Sequence, residues 1–206
     1  YLHSPAEILE FESFAENDRD PHQEEIFKQL VELRDSSVEN RVILKRINYS
    51  ELSTIYPFTA QFVFAITGWL VPHDWSVENQ VLAMRSLMTL FDILTLLLLV
   101  ALFASLGLPG GYALAYGWCP LVIKEIANSG HVDSVSGFFL ILSVLMAIRG
   151  RWLVTGLGLG FAVYTKYYAL AALPFIFLAL YRANSLNTSG RWKRVVLLGI
   201  VVLVFL

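Results

Sequence analysis

The run Ile93-Leu-Thr-Leu-Leu-Leu-Leu-Val-Ala-Leu-Phe-Ala-Ser-Leu106 opens a stretch that contains no charged residue as far as Ile123. About 20 apolar residues are enough to span the hydrocarbon core of a bilayer. Four more uncharged stretches follow it, at Ser134–Ile148, Trp152–Thr165, Tyr167–Tyr181 and Val195–Leu206. Hydrophobic residues make up 56% of the chain, charged residues 16%, and the mean hydropathy is +0.60. Since apolar spans in lipid must satisfy their own backbone, this composition predicts an all-α, polytopic membrane helix bundle.

Charge is concentrated at the start of the chain. Residues 1–51 hold twelve of the seventeen acidic residues and six of the fifteen basic ones. Within them, Pro21–Arg34 places apolar side chains broadly on one face, which is typical of an amphipathic helix at a membrane surface. We therefore divide the chain into an external loop with short interfacial helices, residues 1–54, and a transmembrane helical bundle, residues 55–206.

Two classes of partner are excluded by composition. The net charge of −2 and the lack of a basic stripe argue against nucleic acid as a partner. The single cysteine, Cys119, rules out a disulfide framework and a Cys/His metal pattern. No metal site is predicted, although a requirement for a divalent metal stays open.

The hydrophobic pattern predicts the order of the helices. The predicted elements are a short aromatic-rich helix at Tyr56–Val71, a long helix at Val77–Leu106, a turn at Gly107–Gly111, a span at Tyr112–Ala127, a loop at Asn128–His131, a span at Asp133–Ile148, and a helical hairpin over Trp152–Tyr181 with Lys166 at its tip. Tyr56–Val71 is short for a full span, and we expect it to be re-entrant or tilted.

Basic residues in short loops mark the cytoplasmic side of a membrane protein. They are Arg149, Arg151, Arg182, Arg191, Lys193 and Arg194. His131, Asp133 and Lys166 are then expected on the opposite, external side.

The stretch Lys124-Glu-Ile-Ala-Asn-Ser-Gly-His-Val-Asp133 places ionisable groups between two segments apolar enough to lie in lipid. Such groups are expensive in a membrane and usually functional. Asp133 with His131 could position a nucleophile, bind a metal or hold a sugar hydroxyl. The same spacing fits an Asp133 that only caps the following helix, with His131 as a loop residue.

Three further charges stand inside the apolar part of the chain. Lys166, flanked by tyrosines, offers a point charge suited to a phosphate at the membrane surface, or a lysine that snorkels to the interface. Arg85 and Asp92 lie seven residues apart on one predicted helix, and hence on one face. We interpret them as a structural charge pair that fixes packing.

Three motifs carry a resemblance to a known family. They are Thr54-Ile-Tyr-Pro-Phe-Thr-Ala-Gln61, Trp118-Cys-Pro-Leu-Val-Ile-Lys-Glu-Ile-Ala-Asn-Ser-Gly-His-Val-Asp133 and Gly156-Leu-Gly-Leu-Gly-Phe-Ala-Val-Tyr-Thr-Lys166. Their order and spacing resemble membrane glycosyltransferases of the GT-C fold, and especially the bacterial mannosyltransferase-like proteins that use polyprenol-phosphate mannose. Phe58 departs from the family pattern where a second proline is usual, and Cys119 where Asn or His is usual.

The resemblance implies transfer of a sugar, with mannose expected, from a polyprenyl-phosphate donor to a glycan, lipid or protein acceptor at the external face of a bacterial inner membrane. Asp133 and His131 would support catalysis by orienting hydroxyls, while Lys166, Tyr56, Asn128 and Glu125 would bind substrate. The principal acidic residue is expected upstream of Tyr1. The chain is accordingly expected to be a fragment that lacks the first transmembrane helix and the C-terminal part.

Two other functions also fit these residues. The charges within the bundle could line a solute path in a transporter or flippase. They could alternatively stabilise helix packing in a scaffold without catalytic activity.

Overall fold

The computed structural model describes residues 4–10, 21–47, 49–54, 56–72, 75–176 and 178. Every regular element within those ranges is helical, which confirms the all-α prediction. The chain divides into two compact units, Tyr1–Ile55 and Tyr56–Leu206. The polar, basic loop predicted at 183–194 and the last apolar run at 195–206 lie outside the described residues.

The first unit contains three helices: α1 at Pro5–Glu10, α2 at Pro21–Asp35 and α3 at Val38–Lys45. Helix α2 confirms the helix predicted from Pro21, and it buries Phe27 completely. Arg34 ties α2 to α1, since its Nη1 donates to the carbonyl of Ile8 over 2.8 Å. Ser37 caps α3 by accepting from the backbone N–H of Asn40.

Asp35, at the end of α2, accepts from two arginines. Arg34 donates through Nε and Nη2, each over 2.7 Å, and Arg41 donates through Nη2 over 2.7 Å. Hydrogen bonds to the charged form of a carboxyl favour that form. Led by the bond from Arg34, they lower the pKa of Asp35 from 3.8 to about 2.

Residues 173–176 of the second unit are α-helical, and six α-helices precede them in its described part. They are α4 at Phe58–Leu70, α5 at Val77–Ser105, α6 at Leu114–Gly117, α7 at Pro120–Val122, α8 at Asp133–Ile148 and α9 at Trp152–Thr165. The predicted long helix is confirmed as α5, which Ser76 caps at its N-terminus. At 29 residues, α5 is the one helix in the described part that is long and apolar enough to cross a membrane by itself.

The span predicted over Tyr112–Ala127 is not one continuous helix. A 3-10 helix at Gly110–Ala113 leads into α6, the backbone is extended at Cys119, and α7 begins at Pro120 and passes into a π-helix at Ile123–Asn128. A proline disfavours helical geometry in the residue before it and cannot donate a backbone bond, which explains the break. The segment Pro120–Asn128 is then bent by 120° from α8.

Helices α8 and α9 pack closely through small residues. Ser143 Oγ donates to the Thr155 carbonyl over 2.8 Å, and a Cβ added at Gly158 would lie 3.1 Å from the carbonyl oxygen of Phe139. A Cβ at Gly137, on α8, would meet nothing within 4 Å. Small residues let backbones approach in this way in membrane helix pairs.

The two apolar halves predicted on either side of Lys166 are both helical in their described part. Helix α9 ends at Thr165, Lys166 is extended, and a 3-10 helix follows at Tyr167–Ala172. Residues on both sides of Lys166 share one buried cluster, which contains Leu159, Ala162, Val163, Ala169 and Ile176. Lys166 therefore separates two apolar halves that share a buried cluster, and the helical hairpin stays a prediction.

Helix α4 buries two threonines in different ways. The Thr67 hydroxyl donates to the Val63 carbonyl over 2.9 Å. The Thr59 hydroxyl is buried and has no hydrogen-bond partner among the residues that the structure describes. A buried hydroxyl without a partner keeps the full cost of its desolvation.

Candidate functional site

The π-helix is followed directly by the short turn that precedes α8. The backbone N–H of Gly130 donates to Ile126 over 2.9 Å, and that of His131 reaches back to Glu125 over 3.1 Å. Gly130 has φ +70, a left-handed conformation that side chains rarely adopt. These bonds place His131 above Glu125, with its Nδ1 3.6 Å from Glu125 Oε2.

Asp133 and Lys166 form an ion pair across 33 positions of sequence. Lys166 Nζ lies 2.8 Å from Asp133 Oδ2, and His131 Nδ1 lies 3.9 Å from the same oxygen. Val132 holds the N-cap position of α8 without a side-chain cap bond, so Asp133 does not act as the cap. We call Glu125, His131, Asp133 and Lys166 the polar corner.

The polar corner rests on an apolar base and stays open to solvent. A buried cluster of Ala60, Val63, Met88, Ile126, Val132 and Val135 connects α4, α5, the π-helix and α8. The Lys166 side chain is 28% exposed and that of Asp133 is 35% exposed. Both charged side chains are therefore partly exposed, so a ligand can still reach them.

Two tyrosines flank the ion pair. The ring centroid of Tyr56 lies 5.9 Å from Lys166 Nζ, within the range of a cation–π contact. The Tyr168 hydroxyl lies close to Ser136 and Asp133. Sequence reasoning misses this second tyrosine, because its place beside Lys166 gives no sign that it would reach Asp133.

The expected pairing of Arg85 with Asp92 is not formed. Arg85 Nη2 donates to the Ala127 carbonyl over 3.3 Å and to Asn128 Oδ1 over 3.2 Å, while Asp92 accepts from the Tyr116 hydroxyl. Seven residues of α-helix rise about 10.5 Å, which is too far for a direct ion pair. The same contact holds Asn128, because its amide oxygen accepts a hydrogen bond from Arg85.

The polar corner therefore combines one ammonium, two carboxylates and one imidazole. An ammonium attracts anionic oxygens, and carboxylates accept protons or hydrogen bonds from hydroxyl groups. Within the described ranges, no group of three His, Cys, Asp or Glu side chains is arranged to hold a metal ion. The arrangement suits a ligand that carries both a negative group and hydroxyls.

Comparison with known proteins gives one family. The model of a family described as alpha-(1->6)-mannopyranosyltransferase, N-terminal domain, matches residues 55–182, which is more than half of the chain and includes the whole polar corner. No curated protein matches the chain, and no solved structure does.

Proposed function

Because the chain belongs to the alpha-(1->6)-mannopyranosyltransferase family, we propose that its polar corner serves the transfer of mannose from a polyprenyl-phosphate donor to a glycan, lipid or protein acceptor. The observation that carries the proposal is the Lys166–Asp133 pair, which sets a cation beside an acid within reach of His131 and Glu125. A glycosyl phosphate donor needs both kinds of group.

Lys166 is proposed to hold the phosphate of the donor. As the bond between the anomeric carbon and the phosphate oxygen breaks, the phosphate leaves with the electron pair and gains charge. An ammonium already in place stabilises that charge without reorganisation. Its present partner is Asp133, so the phosphate has to share Lys166 with this carboxylate or displace it.

Asp133 and His131 are proposed to orient the hydroxyls of the sugars. The acceptor oxygen attacks the anomeric carbon, and its proton passes to a carboxylate. We propose that Asp133 supports this proton transfer. Tyr56, Glu125 and Asn128 are also proposed to contact substrate. Tyr56 lies 5.9 Å from Lys166 Nζ, and Glu125 Oε2 lies 3.6 Å from His131 Nδ1.

A membrane setting supports this donor. Helix α5 is long and apolar enough to cross a bilayer, so a polyprenyl chain would lie in the same phase as the protein. We propose a multi-pass protein of a bacterial inner membrane, with residues 1–54 as an external loop, residues 55–206 as a bundle of GT-C type and the polar corner on the external face.

The test is mannosyl transfer in membranes that carry the full-length protein, with labelled polyprenyl-phosphate mannose. Lys166→Ala and Asp133→Ala are each expected to lower kcat/KM by about 100-fold, the scale of one lost electrostatic contact in a transition state. Lys28→Ala removes an exposed lysine of the first unit, paired with Glu24, and serves as the matched control.

The results separate the proposed roles from their alternatives. Unchanged transfer in both site variants would contradict the roles of Lys166 and Asp133. Movement of the labelled lipid across the membrane with no mannosylated product would point to a transporter or flippase.

A further inference from the structure

We propose that Arg85, on α5, is a positioning residue that holds the polar corner in its working geometry. Its Nη2 donates both to the Ala127 carbonyl and to Asn128 Oδ1, at the end of the π-helix. The last carbonyls of a helix have no partner within the helix, and a basic side chain can satisfy them. Arg85 supplies that partner from a helix more than forty residues away in sequence.

Arg85 also packs against the backbone of the same segment, at Gly130. A Cβ added there would lie 3.0 Å from Arg85 Cγ and 3.7 Å from Arg85 Cα. The turn at Gly130 therefore packs directly against the aliphatic part of Arg85, while the guanidinium group binds Ala127 and Asn128 just before it. The Nε atom of Arg85 is itself buried, without a hydrogen-bond partner in the described part of the chain.

The Arg85 contact lies directly before two residues of the polar corner. His131 follows Gly130 directly, and Asp133 comes two residues later. The segment Pro120–Asn128 and α8 meet there at a bend of 120°, with no continuous helix between them. The backbone bonds of Gly130 and His131 hold this bend from within the segment, and the side-chain bonds of Arg85 add a hold from α5. Reacting groups must be held to within fractions of an ångström, and small displacements from remote changes are costly.

One experiment tests the contact without relying on the proposed function. In full-length protein whose single cysteine is replaced, Cys119→Ala, a cysteine is introduced at the exposed position 129 by Ser129→Cys, and its labelling by a hydrophilic maleimide is timed. Arg85→Ala is expected to raise the labelling rate about fivefold or more, since hydrogen bonds to charged groups are among the stronger ones.

The matched control is Arg149→Ala. Arg149 Nη2 reaches Ser105 Oγ over 3.5 Å, so this arginine joins α8 to α5 at their opposite end. Its loss is expected to leave labelling at position 129 unchanged. An equal rise in both variants, or no rise in Arg85→Ala, would overturn the proposal.

A second readout rests on the proposed function. In mannosyl transfer, Arg85→Ala is expected to lower kcat on the order of 100-fold while the donor KM stays within about threefold, because orientation is lost and phosphate contact is kept. A rise in the donor KM with kcat unchanged would instead make Arg85 a phosphate ligand and overturn the positioning role. If the wild-type protein transfers no mannose, the proposed function fails and the labelling result alone decides the role of Arg85.

Discussion

Replacing Gly130 by alanine should be more damaging than the same change at another glycine with the same φ. Gly130, Gly107 and Gly150 all have φ +70, but only at Gly130 would an added Cβ meet another atom within 4 Å. A left-handed backbone costs a non-glycine residue about 1–2 kcal/mol. At Gly130 the methyl group would also push Arg85 Cγ, 3.0 Å away, off its rotamer, at about 0.5–1.5 kcal/mol.

The expected free energies of unfolding come directly from these costs. Gly150→Ala and Gly107→Ala should each lose about 1–2 kcal/mol, the backbone cost alone. Gly130→Ala should lose about 1 kcal/mol more, which is about fivefold in the unfolding equilibrium. Unfolding of full-length protein in mild detergent, followed by tryptophan fluorescence during titration with a denaturing detergent, measures the difference.

A double variant identifies the source of the extra cost. Arg85→Ala removes Cγ, so Gly130→Ala in that background should cost no more than Gly150→Ala does. A Gly130→Ala variant as stable as Gly150→Ala would refute the steric reasoning. So would an excess cost that persists after Arg85 is replaced.

Three other predictions concern single sites. Thr59→Val should raise the free energy of unfolding by about 1 kcal/mol because its buried hydroxyl has no partner, whereas Thr67→Val, which breaks a bond, should not raise it; chemical unfolding compares the two. Gly158→Ala should lose about 1–3 kcal/mol through overpacking, while Gly137→Ala, in open space, should gain up to about 1 kcal/mol of helix propensity in the same assay. The contribution of Asp35 to stability should be complete above its ordinary pKa of 3.8 and be lost as the pH falls through about 2, so a carboxyl NMR titration with its midpoint near 3.8 would contradict the pairing.

Sequence predicts the long elements because hydrophobic runs and caps are local signals. Helix α5 and helix α8 lie where uncharged runs and polar flanks indicate them. The break at Pro120 escapes such reasoning, since an apolar run reads as one span even when a proline and a π-helix divide it. Hydropathy reports what lies in an apolar phase and says little about where the axis bends.

The residues of the site could be predicted from the sequence better than the contacts between them. Sequence indicates Asp133 and Lys166 separately, one at a helix start and one between two apolar halves, yet their ion pair depends on how α8 and α9 pack. The error over Arg85 has the same origin. A shared helix face suggests Asp92 as the partner of Arg85. The guanidinium group instead binds Ala127 and Asn128, which only tertiary packing brings close to it.

The π-helix makes the polar corner sensitive to chain length. A π-helix at Ile123–Asn128 closes its turns with one residue more than an α-helix does. Loss of one residue there would let the segment relax to α-helical winding, in which each N–H reaches the carbonyl four residues back instead of five. The six-residue spacing that now joins Glu125 to His131 through both backbone and side chain would then be lost. Among homologous chains, insertions and deletions should accordingly avoid residues 123–131 even where the amino acids themselves vary.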